Sequence, residues 1–329
     1  MIHHNLKPMI SSIISSVIGD DDSIKRNFTQ LTAALGTYWG FADTLEFQSG
    51  DTFEVDFLAP TVVATGGDYY ITDGDDSNDR GSLALLQSGK YLLGSGVASV
   101  TVDGVAITGA TSYPLDGKLH TAILTLNANA KIHILGSRFS LAHFYSGIIA
   151  NPVSTMSGAT KKWTLGDGVG NNTEQSTPAG NAITRVNVPD ASIEQFTFVD
   201  DSWWSDNYMQ DPIDMTSSQW DATGSPIRFV NGFTTTSTGV EGLNYSTNKV
   251  GNLRLTYDIT ADDSYWTIKD TATRQGAAPT ILNGGSGSIA GELDYVSSTG
   301  GLYVRHTTTT NSNLTINKLE LNKVLEVAS

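Results

Sequence analysis

The chain has 329 residues, enough for two domains with cores of their own. Its formal net charge is −15 with only 16% charged residues, which excludes binding to nucleic acid or anionic membranes by general electrostatics. There is no cysteine, so disulfide frameworks and thiol-bound zinc are excluded, and no apolar run reaches the ~18 residues of a membrane-spanning helix.

At the start, Leu6, Met9, Ile10, Ile13, Ile14, Val17 and Ile18 recur at three- and four-residue steps, the stripe of a short amphipathic helix that Gly19 is placed to end. Met1–Gly19 lacks a basic leading region and a small-residue cleavage site, so a signal peptide is not expected. Asp22 or Ser23 then suits the cap of a second helix carrying Ile24, Phe28, Leu31 and Leu35, with a stop at Gly36. Helices this short need a partner surface to bury the stripe. Residues 1–37 therefore read as a helical docking or oligomerisation segment.

From Tyr38 the helical period gives way to short alternating runs between Gly-rich turns, enriched in Thr, Val, Tyr and Phe, the pattern of a β-sandwich. In Phe53–Leu58, Phe53, Val55 and Phe57 share one face and Glu54, Asp56 and Leu58 the other, and Pro60 ends the run. Leu119–Leu126 is largely apolar on both faces, as a strand between two sheets requires. The Asn-Ala-Asn-Ala that follows suits a hairpin into Lys131–Phe139, and His143–Ile149 reads as a third strand. Near Asp200 the composition shifts to a Trp- and Asp-rich linker, and alternating runs resume up to Leu314–Val324. The expected class is mainly β: two β-sandwich (jelly-roll) domains, 38–200 and 201–329, behind the short N-terminal helical segment.

The motif order FEVDFLAP, YYITDG, VTVDGV, LDGKLHTAILTL, IHILGSRF and FYSGIIANP, between Phe53 and Pro152, resembles the concanavalin A-like, laminin-G-like jelly roll of bacteriophage tail and fibre proteins. The later runs LRLTYDI, GLYVRH and LTINKLEL resemble a galactose-binding-like sandwich of the carbohydrate-binding-module type. These resemblances imply a structural virion component: a fibre, tail or head-decoration subunit. Such a subunit would be held by other virion proteins, would form a homo-oligomer, with a trimer the fibre-type precedent, and would contact host polysaccharide. The alternative is a bacterial secreted or surface carbohydrate-binding protein, and a third reading is a polysaccharide-degrading enzyme.

The sequence offers three sets of chemistry-bearing residues. Glu54-Val-Asp56 matches the start of the Glu-x-Asp-x-x-Glu of laminarinase-like hydrolases, which the jelly-roll resemblance brings into view. Ala59 stands where the second Glu belongs, so two solvent-facing acids and no catalytic residues are expected. Asp73, Asp75, Asp76, Asn78 and Asp79 gather oxygen donors in one turn, the hard ligands that calcium takes, and calcium-binding relatives of this fold make calcium the one cofactor to consider. Trp203, Trp204, Tyr208, Trp220, Tyr69 and Tyr70 are the aromatic candidates for stacking on sugar rings or, alternatively, for packing between domains. His120, His133 and His143 fall on neighbouring runs and read as packed imidazoles. No Walker loop, dinucleotide fingerprint or nucleophile elbow is present.

Overall fold

The computed structural model describes residues 25–328, apart from 66, 77, 79, 167–172, 200–201, 210–213, 238, 272–277 and 308–310. The described residues form antiparallel sheets stacked as sandwiches, with two short 3-10 turns and no α-helix. No helix among them is long and apolar enough to cross a membrane. The chain divides into two compact units, Met1–Trp203 with Leu325–Ser329, and Trp204–Val324.

In the first unit, the larger sheet has ten strands. Its order is Val324–Glu326, Ser202–Ser205, Ile193–Val199, Lys25–Leu31, Gly147–Met156, Thr52–Leu58, Leu119–Leu126, Val97–Val102 and Val105–Ile107, with Ala159–Lys162 flanking Gly147–Met156. The facing sheet runs Thr173–Gln175, Ala182–Val186, Tyr38–Glu46, Lys131–Leu135, Tyr69–Asp73, Leu83–Leu85 and Tyr91–Leu93. Alternation decides what lies between them. Phe53, Val55 and Phe57 from one sheet meet Trp39, Phe41, Ile71 and Leu135 from the other, all 2% exposed or less. The opposite face of the ten-stranded sheet carries its own apolar cluster of Phe28, Leu119, Ile148, Ala150, Phe196, Trp203 and Leu325. The sheet curls around that cluster until the chain's last residues reach the start of Leu119–Leu126. There Val327 bridges to Leu119, the Ala328 N–H donates to the Leu119 carbonyl at 3.0 Å, and Lys118 pairs with Glu326 at 3.1 Å.

Three expectations are corrected here. Phe28, Leu31 and Leu35 do not lie on a helix: Lys25–Leu31 is a strand, and Ala33–Leu35 is a 3-10 turn closed by Gly36 at φ 61°. The strand wins because it is paired on both sides, with Ile193–Val199 and Gly147–Met156, and because period-2 burial sends Phe28 to the curl and Leu31 to the inter-sheet core. Leu35 is left 58% exposed. Leu6, Met9, Ile10, Ile13, Ile14, Val17, Ile18 and Ile24 lie outside the described residues. Second, Asn127–Ala130 is not a hairpin. The strands on either side belong to different sheets, and its backbone bonds with Phe47, which crosses with it. Third, Leu119–Leu126 is buried mainly on one face, since Ile123 is 36% exposed.

The second unit is two five-stranded sheets. One runs Trp220–Thr223, Val240–Ser246, Gly301–Thr307, Trp266–Asp270, Thr280–Asn283. The other runs Ile227–Phe229, Gly232–Thr234, Asn313–Asn322, Gly251–Ala261, Gly287–Ser297. Trp220, Trp266, Leu255, Ile268, Val304 and Ile316 fill the space between them.

Candidate functional site

Strand Thr52–Leu58 turns Glu54 and Asp56 to the curled face of the large sheet. They are not the solvent-facing pair that alternation suggested. Asp56 is only 9% exposed and accepts hydrogen bonds from Thr121 Oγ1 at 2.7 Å and Asn151 Nδ2 at 2.5 Å. Burial pushes its carboxyl above the usual range, against the pull of those two donors. Glu54 is also raised, first by burial and then by the charge of Asp56. Asn151 stands at φ 49° in the irregular stretch between Ala150 and Val153, where the ladder to Thr52–Leu58 slips. Both oxygens of Asp56 are occupied, and Ala59, at the position of the second Glu, is buried. The arrangement ties three strands together.

The acidic turn is divided. Asp73 is fully buried: Oδ1 accepts from Arg80 Nε at 2.7 Å, from the Gly74 N–H at 2.9 Å and from Ser82 Oγ, and Oδ2 from Arg80 Nη2 at 2.6 Å and the Phe139 N–H at 3.0 Å. Asp75 and Asp76 lean on Lys131 at 3.6 and 3.9 Å, and the Asn78 N–H donates to Asp76 Oδ1 at 2.6 Å. Asp79 lies outside the described residues. Among the described residues, no three His, Asp or Glu side chains are gathered as a metal would require.

The three histidines part company. His120 lies between Asp103 (2.6 Å to Nδ1) and Asp116 (3.1 Å to Nε2), and its ring stacks at 5.7 Å on Phe57. Burial alone would lower its pKa, but the hydrogen bonds and charges of the two aspartates outweigh it and raise it above the ordinary imidazole value. His143 packs 6.1 Å from the Tyr70 ring, and His133 stands on the outer face of the smaller sheet.

The aromatic candidates are taken up by packing. Trp203 sits against Phe28 and Phe198 with the Arg26 guanidinium 5.4 Å from its ring. Trp220 is 2% exposed, edge-on to Tyr245. Tyr70 is 4% exposed under the guanidinium groups of Arg80 and Arg138, and Tyr69 meets Tyr145 edge-on. In the second unit, Trp204 and Tyr208 have cations over their rings, Arg254 at 5.1 Å and Lys249 at 4.7 Å. Trp203, Trp220 and Tyr70 are thus buried, whereas Tyr69, Trp204 and Tyr208 remain half-buried.

The structure instead opens a groove of about 450 Å³ on the outer face of the seven-stranded sheet, at positions the sequence reading passed over. Its floor is strand Tyr38–Glu46, which presents Tyr38, Gly40 and Ala42 while Trp39 and Phe41 enter the core. Gly40 lies between Thr184 on one neighbouring strand and Ile134 on the other, and Tyr38 lies beside Val186. Phe139 and Leu141 form a wall. The Phe139 N–H is anchored on Asp73, and Arg80 and Arg138 lie 5.1 and 5.5 Å from its ring. At the polar end, Thr44 Oγ1 is 3.1 Å from Asp75 Oδ2 and 3.3 Å from His133 Nδ1.

Gly40 pairs with Ile134 where the ladder to Lys131–Leu135 slips, between Ile132 and Ile134. Its φ is not in the left-handed region, and a Cβ built on it meets only the Tyr38 ring, at an ordinary 3.7 Å. A strand-interior glycine costs about 0.5–1 kcal/mol relative to alanine, and it marks a slip of the ladder like this one or a place where something approaches the backbone closely. A signal for this groove was present in the sequence, as a glycine between Trp39 and Phe41 in a strand-like run, but nothing there said which neighbours would flank it.

No protein-family model matches this chain, and no curated protein does. Among solved structures, the tandem CBM51 modules of the family 98 glycoside hydrolase from Streptococcus pneumoniae SP3-BS71 align over 84% of this chain and 80% of that one, at 8% identity and TM-score 0.23. The structure of infectious bursal disease virus Gt strain aligns over 97% and 78%, at 11% identity and TM-score 0.17. Likenesses this slight carry no argument about this chain.

Proposed function

We propose that this protein is a non-enzymatic structural component of a bacteriophage virion, a fibre, tail or head-decoration subunit, whose β units meet carbohydrate on the host surface. The observation that carries the non-enzymatic part is what the buried acids and imidazoles bind. Asp56 and Asp73 are filled by neighbouring donors as described. Glu241 accepts from the Thr236 N–H and hydroxyl at 2.6 and 2.7 Å, and Asp270 from Ser297 Oγ and the Ser298 N–H, both at 2.7 Å. His120 and His306 face Asp103, Asp116 and Asp263. A general acid, base or nucleophile must aim a proton or lone pair at a reacting atom. These groups are aimed at loops and strands, which they clamp.

The resemblance of the motif order between Phe53 and Pro152 to phage jelly rolls supports the virion assignment. The acidic surface favours uncharged glycans over anionic ones. Two measurements test the reading together: labelling of purified particles with an antibody to this chain, and adsorption of the chain to host polysaccharide with an assay for new reducing ends. Surface labelling and adsorption without reducing-end release are expected. Released reducing ends would make it a depolymerase, and adsorption by a chain absent from particles would make it a bacterial carbohydrate-binding protein.

A further inference from the structure

We infer that the Gly40 groove is the saccharide site, and that it takes a neutral pyranose ring. This rests on the reading of carbohydrate contact above and adds where and what. The shape comes from the missing side chain. Thr184 and Ile134 lie on the strands either side of Gly40, Tyr38 shares the floor with it and Phe139 belongs to the wall, so a sugar ring settles onto backbone with aromatic groups beside it. A pyranose has a face of C–H bonds, slightly positive, that suits the negative face of an aromatic ring. A volume of about 450 Å³ lies toward the small end of ligand pockets and holds a mono- or disaccharide end.

The polar end selects charge. The Asp75 carboxylate is acceptor-only, so the Thr44 hydroxyl donates to it, and His133 Nδ1 must then be the nitrogen that donates to Thr44. In the neutral tautomer whose Nδ1 carries the hydrogen, Nε2 keeps a lone pair. Both groups at this end therefore ask for donors. Sugar hydroxyls supply donors. A uronic or sialic acid would bring its carboxylate toward Asp75 and be repelled. Lys131, 3.6 Å from Asp75, offsets that charge only in part, because Asp76 shares the same cation.

The test is saturation-transfer NMR and titration of the full chain with methyl hexopyranosides and with glucuronate, on the wild type, Gly40→Val and Tyr38→Ala. Gly40→Val fills the floor, and since its Cβ meets no backbone it is expected to keep or raise Tm. At least one neutral hexopyranoside is expected to bind the wild type, to bind Gly40→Val about tenfold or more weakly, and to outcompete glucuronate. Wild-type binding undiminished in Gly40→Val would put the sugar elsewhere and leave carbohydrate contact standing. Glucuronate binding at least as tightly as the neutral sugars would overturn the ligand class. No binding of any sugar, with no adsorption of the chain to host polysaccharide, would remove both the site and the carbohydrate reading.

Discussion

Replacing Asp73 with asparagine should destabilise the first unit selectively, because Asp73 is a fully buried acceptor in the first sandwich. The side chain is fully buried and receives five hydrogen bonds, two of them from the Arg80 guanidinium, whose side chain is only 15% exposed. Asparagine keeps the shape, but it removes the charge and turns one acceptor into a donor that faces donors. The guanidinium is left in a half-buried place without its counter-ion, and Ser82 Oγ and the Phe139 N–H compete for one remaining oxygen. Breaking a buried pair in this way costs about 3–5 kcal/mol. At roughly 2–4 °C per kcal/mol for a unit of this size, the first unit's Tm should fall by about 6–20 °C. Calorimetry is expected to show one transition for each of the two units, and the second should stay in place. The double variant with Arg80→Gln should recover part of the loss, since the stranded cation is gone. A fall of less than about 2 °C, or a double variant no better than the single one, would refute this account of Asp73.

Other perturbations probe other parts of the architecture. Chelation by EDTA should leave the first unit's Tm unchanged, because both Asp73 oxygens are already filled, and a rise of several degrees on adding calcium would restore the metal reading of the acidic turn. His120 binds its proton more tightly folded than unfolded, so its contribution is complete below the unfolded value of 6.5 and is lost as pH rises through the raised folded value. A Tm–pH profile above 6.5 should therefore be flatter in His120→Gln than in the wild type, and an unchanged slope would contradict the Asp103–His120–Asp116 arrangement. Leu325→Ala, more than a hundred residues from the rest of the first unit's described chain, should cost that unit about 2–5 kcal/mol through the cavity left in the curl beside Phe28 and Trp203. Urea titration followed by tryptophan fluorescence reads this, with loss from the second transition alone as the contrary outcome.

Much of the fold was legible because a strand's side chains alternate regardless of its partners. Phe53, Val55 and Phe57 declared a buried face, and Leu119–Leu126 emerges as the strand that its apolar run predicted. The failures have one cause. Ile24, Phe28, Leu31 and Leu35 fit a helical repeat, but in the same segment Phe28 and Leu31 also fit a strand with two different apolar surroundings, one on each face. Nothing local announces that a sheet will curl and give its outer face a core. The same holds for Trp203 and Trp220: tryptophans in polar stretches read as exposed until Phe28 and Tyr245, on other strands, cover them.

Composition and period by themselves determined a cysteine-free, acidic chain of alternating strands, since charge count and side-chain alternation are properties of the covalent sequence. Only the tertiary structure decided that Asp56 and Asp73 would be buried acceptors, and that residues 324–328 would join the first sandwich. It alone decided that Gly40 would lie open between Thr184 and Ile134. Each of these depends on which strands become neighbours, and pairing between strands far apart in sequence is set by the burial of the whole sheet.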